Sequence, residues 1–213
     1  MLEKQYMLYS HSKILKILMI EDKIWEKDSE KYIIGSDEVG RGSFAGPICA
    51  ASVKINYNHL HLLGNVKDSK KLSAKKRNEI FEVVKNNNIE YSFKEASNEY
   101  IDKFGIKVAN EKVLHDSISK LHTGKEVVYV DHFKINNFNA VSIVRGEDNC
   151  RAIALASVVA KVLRDNLMIK YAKEFPQYHF EKNKGYGTKD HRQAISKHGL
   201  TEIHRKSFSL KPI

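Results

Sequence analysis

The segment EVVYVD, residues 126–131, constrains the fold more than any other: it is a continuous apolar run that closes on a carboxylate. A strand without polar alternation is buried on both faces, and both faces of a sheet are covered only where helices lie on each side. The chain therefore calls for an α/β arrangement, and its other segments supply one. YIIGSDE (32–38) is a β-branched run that also ends in carboxylates, and Gly46 and Pro47 lead into ICAASVKI (48–55), so the two read as a β-hairpin. Residues 73–88 start at an N-cap, Ser73, and carry Ile80, Phe81 and Val84 at helical spacing. IEYSFKEA (89–96) sets Ile89, Tyr91 and Phe93 on one face of a half-buried strand. Leu114, Ile118 and Leu121 then mark a helix expected to stop at Gly124.

NAVSIV (139–144) repeats the form of EVVYVD. A buried helix is expected over 153–168, and a last helix runs from an N-cap at Thr188 to His198, with Gly199 as its stop. Strands lead and then alternate with helices, which predicts an α/β fold with a mixed sheet flanked by helices. No repeat or linker divides residues 32–205, so the expected organisation is an N-terminal helical extension over 1–30 and one domain over 31–213. In the extension, Ile14, Leu15, Ile17, Leu18 and Ile20 are broken by Lys13, Lys16 and Glu21, too polar a pattern for a secretory h-region. Trp25 reads as its packing anchor. The stretch has acids and no Arg, unlike a mitochondrial presequence, so a cytoplasmic protein is expected.

No run approaches the roughly 18 apolar residues of a membrane span. Thirty-six Lys and Arg against 26 Asp and Glu give a formal charge of +10, which turns the partner list toward nucleic acid. The two cysteines, Cys49 and Cys150, form no CxxC pair, which argues against a zinc cage or a disulfide framework and fits a reducing compartment. Against that basic background, acids stand at strand ends: Asp37 and Glu38, Asp131, then Glu147 and Asp148. Singly, each reads as a solvated turn residue. Together they would repel one another unless a cation neutralised them, and hard oxygen donors without a His or Cys pattern point to Mg²⁺ or Mn²⁺.

At DEVGRGSFAGP (37–47) the chain resembles the bacterial type 2 ribonucleases H, ribonuclease HII. The likeness continues in the family's order through KDSKKLSAKKR (67–77), VD (130–131), ALASVVAKVLRD (154–165), FPQYHFEKNKGYGTKDH (175–191) and IHRKSF (203–208). What the resemblance implies is a ribonuclease H-like fold with a C-terminal helical region. It further implies hydrolysis of the RNA strand of RNA/DNA hybrids and incision at ribonucleotides embedded in duplex DNA. The four family carboxylates fall on Asp37, Glu38, Asp131 and Glu147, holding two ions, with 3′-hydroxyl and 5′-phosphate products.

One position departs from the pattern. The turn reads RGED, with Glu147 where ribonuclease HII usually has Asp, and Asp148 competes for the role. This Glu and the ALAS wording are shared with ribonuclease HIII, which leaves open a HIII-like enzyme with weak single-ribonucleotide activity. The GRG triplet and the short N-terminal stretch favour HII.

The resemblance also assigns Gly40, Arg41 and Gly42, with Tyr186, to reading the ribose 2′-hydroxyl, the group that separates RNA from DNA. A solvated hairpin turn and a packing aromatic are the plainer alternatives. Lys67, Ser69, Lys70 and Lys71 form one basic cluster, and Lys182, Lys184 and Lys189 another, suited to phosphates or simply to solvent. His191 and His204 fit structural roles. A monomer is expected, and a non-catalytic basic RNA-binding protein is the rival class; it would gain nothing from carboxylates placed beside a polyanion.

Overall fold

The computed structural model describes residues 19–63 and 72–209. In chain order the elements are α1 (Asp22–Trp25), β1 (Ile33–Val39), β2 (Ile48–Ile55), α2 (Leu60–Leu63), α3 (Ala74–Asn86), β3 (Tyr91–Ala96), α4 (Asn98–Phe104) and α5 (Ile106–Ser119). There follow β4 (Val127–Asp131), β5 (Val141–Ile143), α6 (Gly146–Asn149), α7 (Arg151–Glu174), α8 (Phe180–Asn183) and α9 (Lys189–His198). The five strands form one mixed sheet in the order β3-β2-β1-β4-β5. The β1–β2 and β2–β3 ladders are antiparallel, and β1–β4 and β4–β5 are parallel.

Helices cover both faces, as the apolar β4 requires. On one side α7 and α3 pack over Ile33, Val53 and Ile55; on the other, α5 covers Ile34, Val128 and Val130. Gly35 is needed for the first contact: a Cβ there would lie 2.1 Å from the Ala152 carbonyl carbon, so its absence lets α7 lie directly on β1. A third cluster, Ala45, Met168, Tyr178, Phe180, Ala194 and Ile203, roots the C-terminal layer. Ser73 and Thr188 accept the expected capping hydrogen bonds from Lys76 and His191, and Gly199 ends α9 at φ 78°.

Three expectations change. NAVSIV is an edge strand rather than one buried on both faces: Val141 is 47% and Val144 66% exposed, because among the described residues no strand pairs beyond it. The helix carrying Leu114 and Ile118 ends at Ser119, and buried Leu121 follows in a turn well before Gly124. The buried helix runs over 151–174, longer than 153–168. Trp25 is an anchor, as read: it is buried, and its Nε1 donates to the Lys31 carbonyl at 2.9 Å. The leading helix before residue 19, and Lys67, Ser69, Lys70 and Lys71, lie outside the described residues.

Candidate active site

Alternation along β1 sends Ile33, Gly35 and Asp37 toward α7, and Ile34, Ser36 and Glu38 toward α5. Parallel pairing of Ser36 with Val130 brings the end of β4, Asp131, beside Asp37. Past β5 the chain turns into α6, whose Gly146 N–H donates to Asp131 Oδ1 at 2.7 Å. That turn delivers Glu147, and α7 delivers Ser157, whose hydroxyl donates to Glu147 Oε2 at 3.1 Å. Asp37, Asp131 and Glu147 thus converge, each with a carboxylate oxygen within 4.8 Å of the others. Glu38 is half-buried on the rim and is not in that triad. Asp148 is exposed and, with Glu38, Asp131 and Glu147, lines a second cavity beside the triad without joining it, whereas Glu147 is buried.

Burial pushes the Asp37 carboxyl well above the ordinary carboxylate range; the Ser157 hydroxyl opposes this, and the charges of Glu38, Asp131 and Glu147 add to it. Glu38 is raised by burial, against the pull of Arg41 and with the charge of Asp131. Three acids crowded in this way are costly as anions unless a cation sits among them. All donors are hard oxygens and no His or Cys joins them, so the residues fit a divalent ion such as Mg²⁺ or Mn²⁺.

Beside the triad, a cleft of about 390 Å³ is lined by Asp37, Gly40, Arg41, Gly42, Lys161 and Tyr186, among others. Gly40 is forced: it sits at φ +86°, and a Cβ would lie 2.1 Å from Arg164 Nε. Arg41 and Gly42 are exposed to the cleft. Tyr186 bridges Ser43 through its backbone, and its ring lies 5.5 Å from the Arg164 guanidinium. Of the second basic cluster, Lys182 and Lys189 are exposed, while the Lys184 ammonium bonds the Glu181 carbonyl. Burial lowers the Lys184 ammonium, Asp165 opposing and Lys161 assisting.

In the sequence, Ser157 serves only to count back ten residues to Glu147, and Lys161, Arg77, Arg164 and Arg205 stand inside the blocks of the resemblance without a role of their own. Ser157, Lys161 and Arg164 were within reach, since they recur at i, i+4 and i+7, a polar stripe on a helix whose first half after Arg151 is otherwise apolar. Arg205, although inside the IHRKSF block, carries no such periodic signal. His191 and His204 are structural, as expected: both are fully buried, with their Nε2 atoms 3.1 Å apart.

A mixed sheet sandwiched by helices, with carboxylates gathered at the ends of two adjacent parallel strands under a basic cleft, defines a metal-dependent nuclease of the ribonuclease H-like fold. Solved structures agree on the fold. Pyrococcus horikoshii ribonuclease H2 superposes with a TM-score of 0.70 at 19% identity, covering 84% of this chain and 94% of that one. The Mn²⁺ complex of Bst-RNase HIII gives 0.65 at 17% identity, over 84% and 68%. In sequence, the ribonuclease HII of Clostridium beijerinckii is 43% identical over 187 residues, 86% of this chain and 69% of the relative. The ribonuclease HII family matches residues 34–211, and the chain belongs to it. It is a metal-dependent endoribonuclease of the ribonuclease H type. Among the described residues no helix is long and apolar enough to cross a membrane.

Proposed function

We propose that this endonuclease cuts the RNA strand of RNA/DNA hybrids and also incises at single ribonucleotides embedded in duplex DNA, with two Mg²⁺ or Mn²⁺ ions, leaving 5′-phosphate and 3′-hydroxyl ends. The observation that carries the reading is the contiguity of the acid triad and the GRG loop: Asp37 lines the same cleft as Gly40, Gly42 and Tyr186. Asp37, Asp131 and Glu147 would hold the ions, with Glu38 completing the set at the rim. When bound, divalent cations offset the charge that makes a phosphodiester resist attack by water.

The chain's own residues do the rest. Ser157 fixes the Glu147 carboxylate by its hydrogen bond, which holds that acid in the cluster with Asp37 and Asp131. Lys161 and Arg77 face the cleft and offer positive charge to the phosphates on either side of the cut. Gly40, Arg41, Gly42 and Tyr186 read the 2′-hydroxyl. The carboxylates and the reading loop come from one chain, which supports a monomeric enzyme, and such cuts would serve ribonucleotide removal in replication and repair in the cytoplasm.

The deciding experiment compares one preparation on two duplexes, one with a single ribonucleotide and one a continuous hybrid, each with Mg²⁺ and with Mn²⁺. Cleavage of both with 5′-phosphate products is expected. Cleavage of the hybrid alone would withdraw single-ribonucleotide incision.

A further inference from the structure

Beneath the GRG loop lie two arginines, Arg164 and Arg205, both 0% exposed. Among the described residues neither meets a carboxylate; their donors go almost wholly to backbone carbonyls. Arg205 Nη2 donates to the Gly40 carbonyl at 2.7 Å, Nη1 to Arg41 at 2.9 Å and Nε to Gly46 at 3.0 Å. Arg164 Nε donates to Pro47 and Nη1 to Lys184, both at 3.0 Å, while Nη2 reaches the Ser43 hydroxyl at 2.9 Å and the Ala45 carbonyl at 3.4 Å. Two cations buried together without a counter-charge are expensive. A fold that needed only packing here could use apolar side chains of similar volume.

The geometry of the loop gives them a use. A planar trans peptide directs its carbonyl and the following N–H to opposite sides. With the Gly40 and Arg41 carbonyls turned onto Arg205, the N–H groups of Arg41 and Gly42 are turned away from it, on the stretch of loop that lines the cleft. Among the described residues neither N–H has an acceptor in the protein. The Arg164 guanidinium lies against the Tyr186 ring and ties the Lys184 carbonyl two residues before it. The two side chains therefore hold every element assigned above to the 2′-hydroxyl, and they place two positive charges behind amides that face an oxygen acceptor.

We propose that Arg205 and Arg164 are positioning residues for ribose recognition, which hold the Arg41 and Gly42 amides and Tyr186 in the arrangement that accepts a 2′-hydroxyl. This rests on the reading of the GRG loop given under Proposed function. Lys at position 205 keeps the charge but cannot grip three carbonyls as a planar fork.

The test measures equilibrium binding in EDTA, where no cleavage occurs, to a DNA duplex with one ribonucleotide and to the same duplex in all-deoxy form. For the unaltered protein, a preference on the order of tenfold or more is expected from two additional hydrogen bonds. In Arg205→Lys and Arg164→Lys that preference should shrink to less than about twofold, with all-deoxy affinity nearly unchanged. If both affinities fall by one common factor, the arginines are merely structural and the proposal is overturned. If the unaltered protein has no preference, the reading of the loop itself fails, a result separable from the first.

Should the variants not fold, the unaltered protein suffices. The Gly42 amide resonance in ¹⁵N-glycine-labelled protein, assigned by its loss in Gly42→Ala, should shift with the ribonucleotide duplex and not with the all-deoxy one. Among the described residues a Cβ at 42 meets no atom within 4 Å, so that assignment variant keeps the fold. An equal response to both duplexes would overturn the proposal.

Discussion

Asp37 carries the sharpest conflict between fold and function at the residue scale. Burial and three neighbouring acids raise its carboxyl, so its folded value lies above its unfolded one. Such a group favours folding at pH values below its unfolded pKa, and that advantage is lost as pH rises through the folded value. Asp37→Asn removes the buried charge, so thermal melting of the metal-free variant at pH 7 should rise above that of the unaltered protein while hybrid cleavage falls by orders of magnitude. A lower melting temperature would mean that the acids stabilise one another. The neighbouring ambiguity has an equally direct test. Glu147 is buried and held by Ser157, whereas Asp148 is exposed, so Glu147→Gln should be nearly inactive and Asp148→Asn should keep most activity at saturating metal. The reverse ranking would move the fourth carboxylate to Asp148. The acids were legible in the sequence because each follows a β-branched run, and strand ends are where an α/β sheet gathers reactive groups. Arg205 was not: a charge in the sequence says nothing of its burial, and its partners are carbonyls 159 or more positions away.

Elements whose ends carry local signals matched the sequence reading best. Ser73, Thr188 and Gly199 are such signals: α3 begins at the first, and α9 begins at the second and ends at the third. β5 failed because NAVSIV has the composition of a central strand, while its place at the sheet edge depends on which strands find partners. α4 escaped notice although Ser97 caps it and Gly105 follows it, since seven residues are too few to establish a helical period. The tie between α9 and the C-terminal segment depends on protonation. Thr201 N–H donates to His204 Nδ1 at 2.9 Å, so the His204 proton sits on Nε2 and is donated to His191 Nε2 at 3.1 Å. His191 Nδ1–H then donates to the Tyr186 carbonyl at 2.9 Å. Burial, with the charge of His191 second, pulls the His204 imidazole down to about 4, and burial also lowers His191. The unfolded chain titrates near 6.5 and so binds more protons than the folded one between that value and about 4. Stability is therefore lost as pH falls through this window, on the order of 2 kcal/mol from pH 7 to pH 5. Urea unfolding followed by circular dichroism should record that loss, and His204→Asn should be less stable at pH 7 yet flatter with pH. An equally steep loss in the variant would place the sensitivity elsewhere.

Charge and fold pull in opposite directions across the whole molecule: a chain of net +10 gathers acids at the point where a polyanion must arrive. The conflict is resolved in space. The triad is compact and largely buried, while basic groups border it at Arg41, Arg77 and Lys161 and recur on α9 at Lys189, Arg192 and Lys197. A duplex lying over the cleft meets a local negative point inside a wider positive field, and that field governs encounter. Each phosphate neutralised by Lys or Arg releases condensed counterions, so the binding constant falls as a power of salt concentration. With about six such contacts, hybrid affinity should drop roughly a thousandfold between 50 and 200 mM monovalent salt. Occupying the triad with Ca²⁺ removes the local repulsion without changing the surrounding lysines and arginines. Affinity at any one salt concentration should then rise, while the slope of its logarithm against that of monovalent salt stays nearly the same. Fluorescence anisotropy with a labelled hybrid, in EDTA and in Ca²⁺, measures both quantities. A flat salt dependence would remove the phosphates from recognition. A slope that collapsed with the ion bound would mean that the metal, rather than the basic surface, carries the duplex.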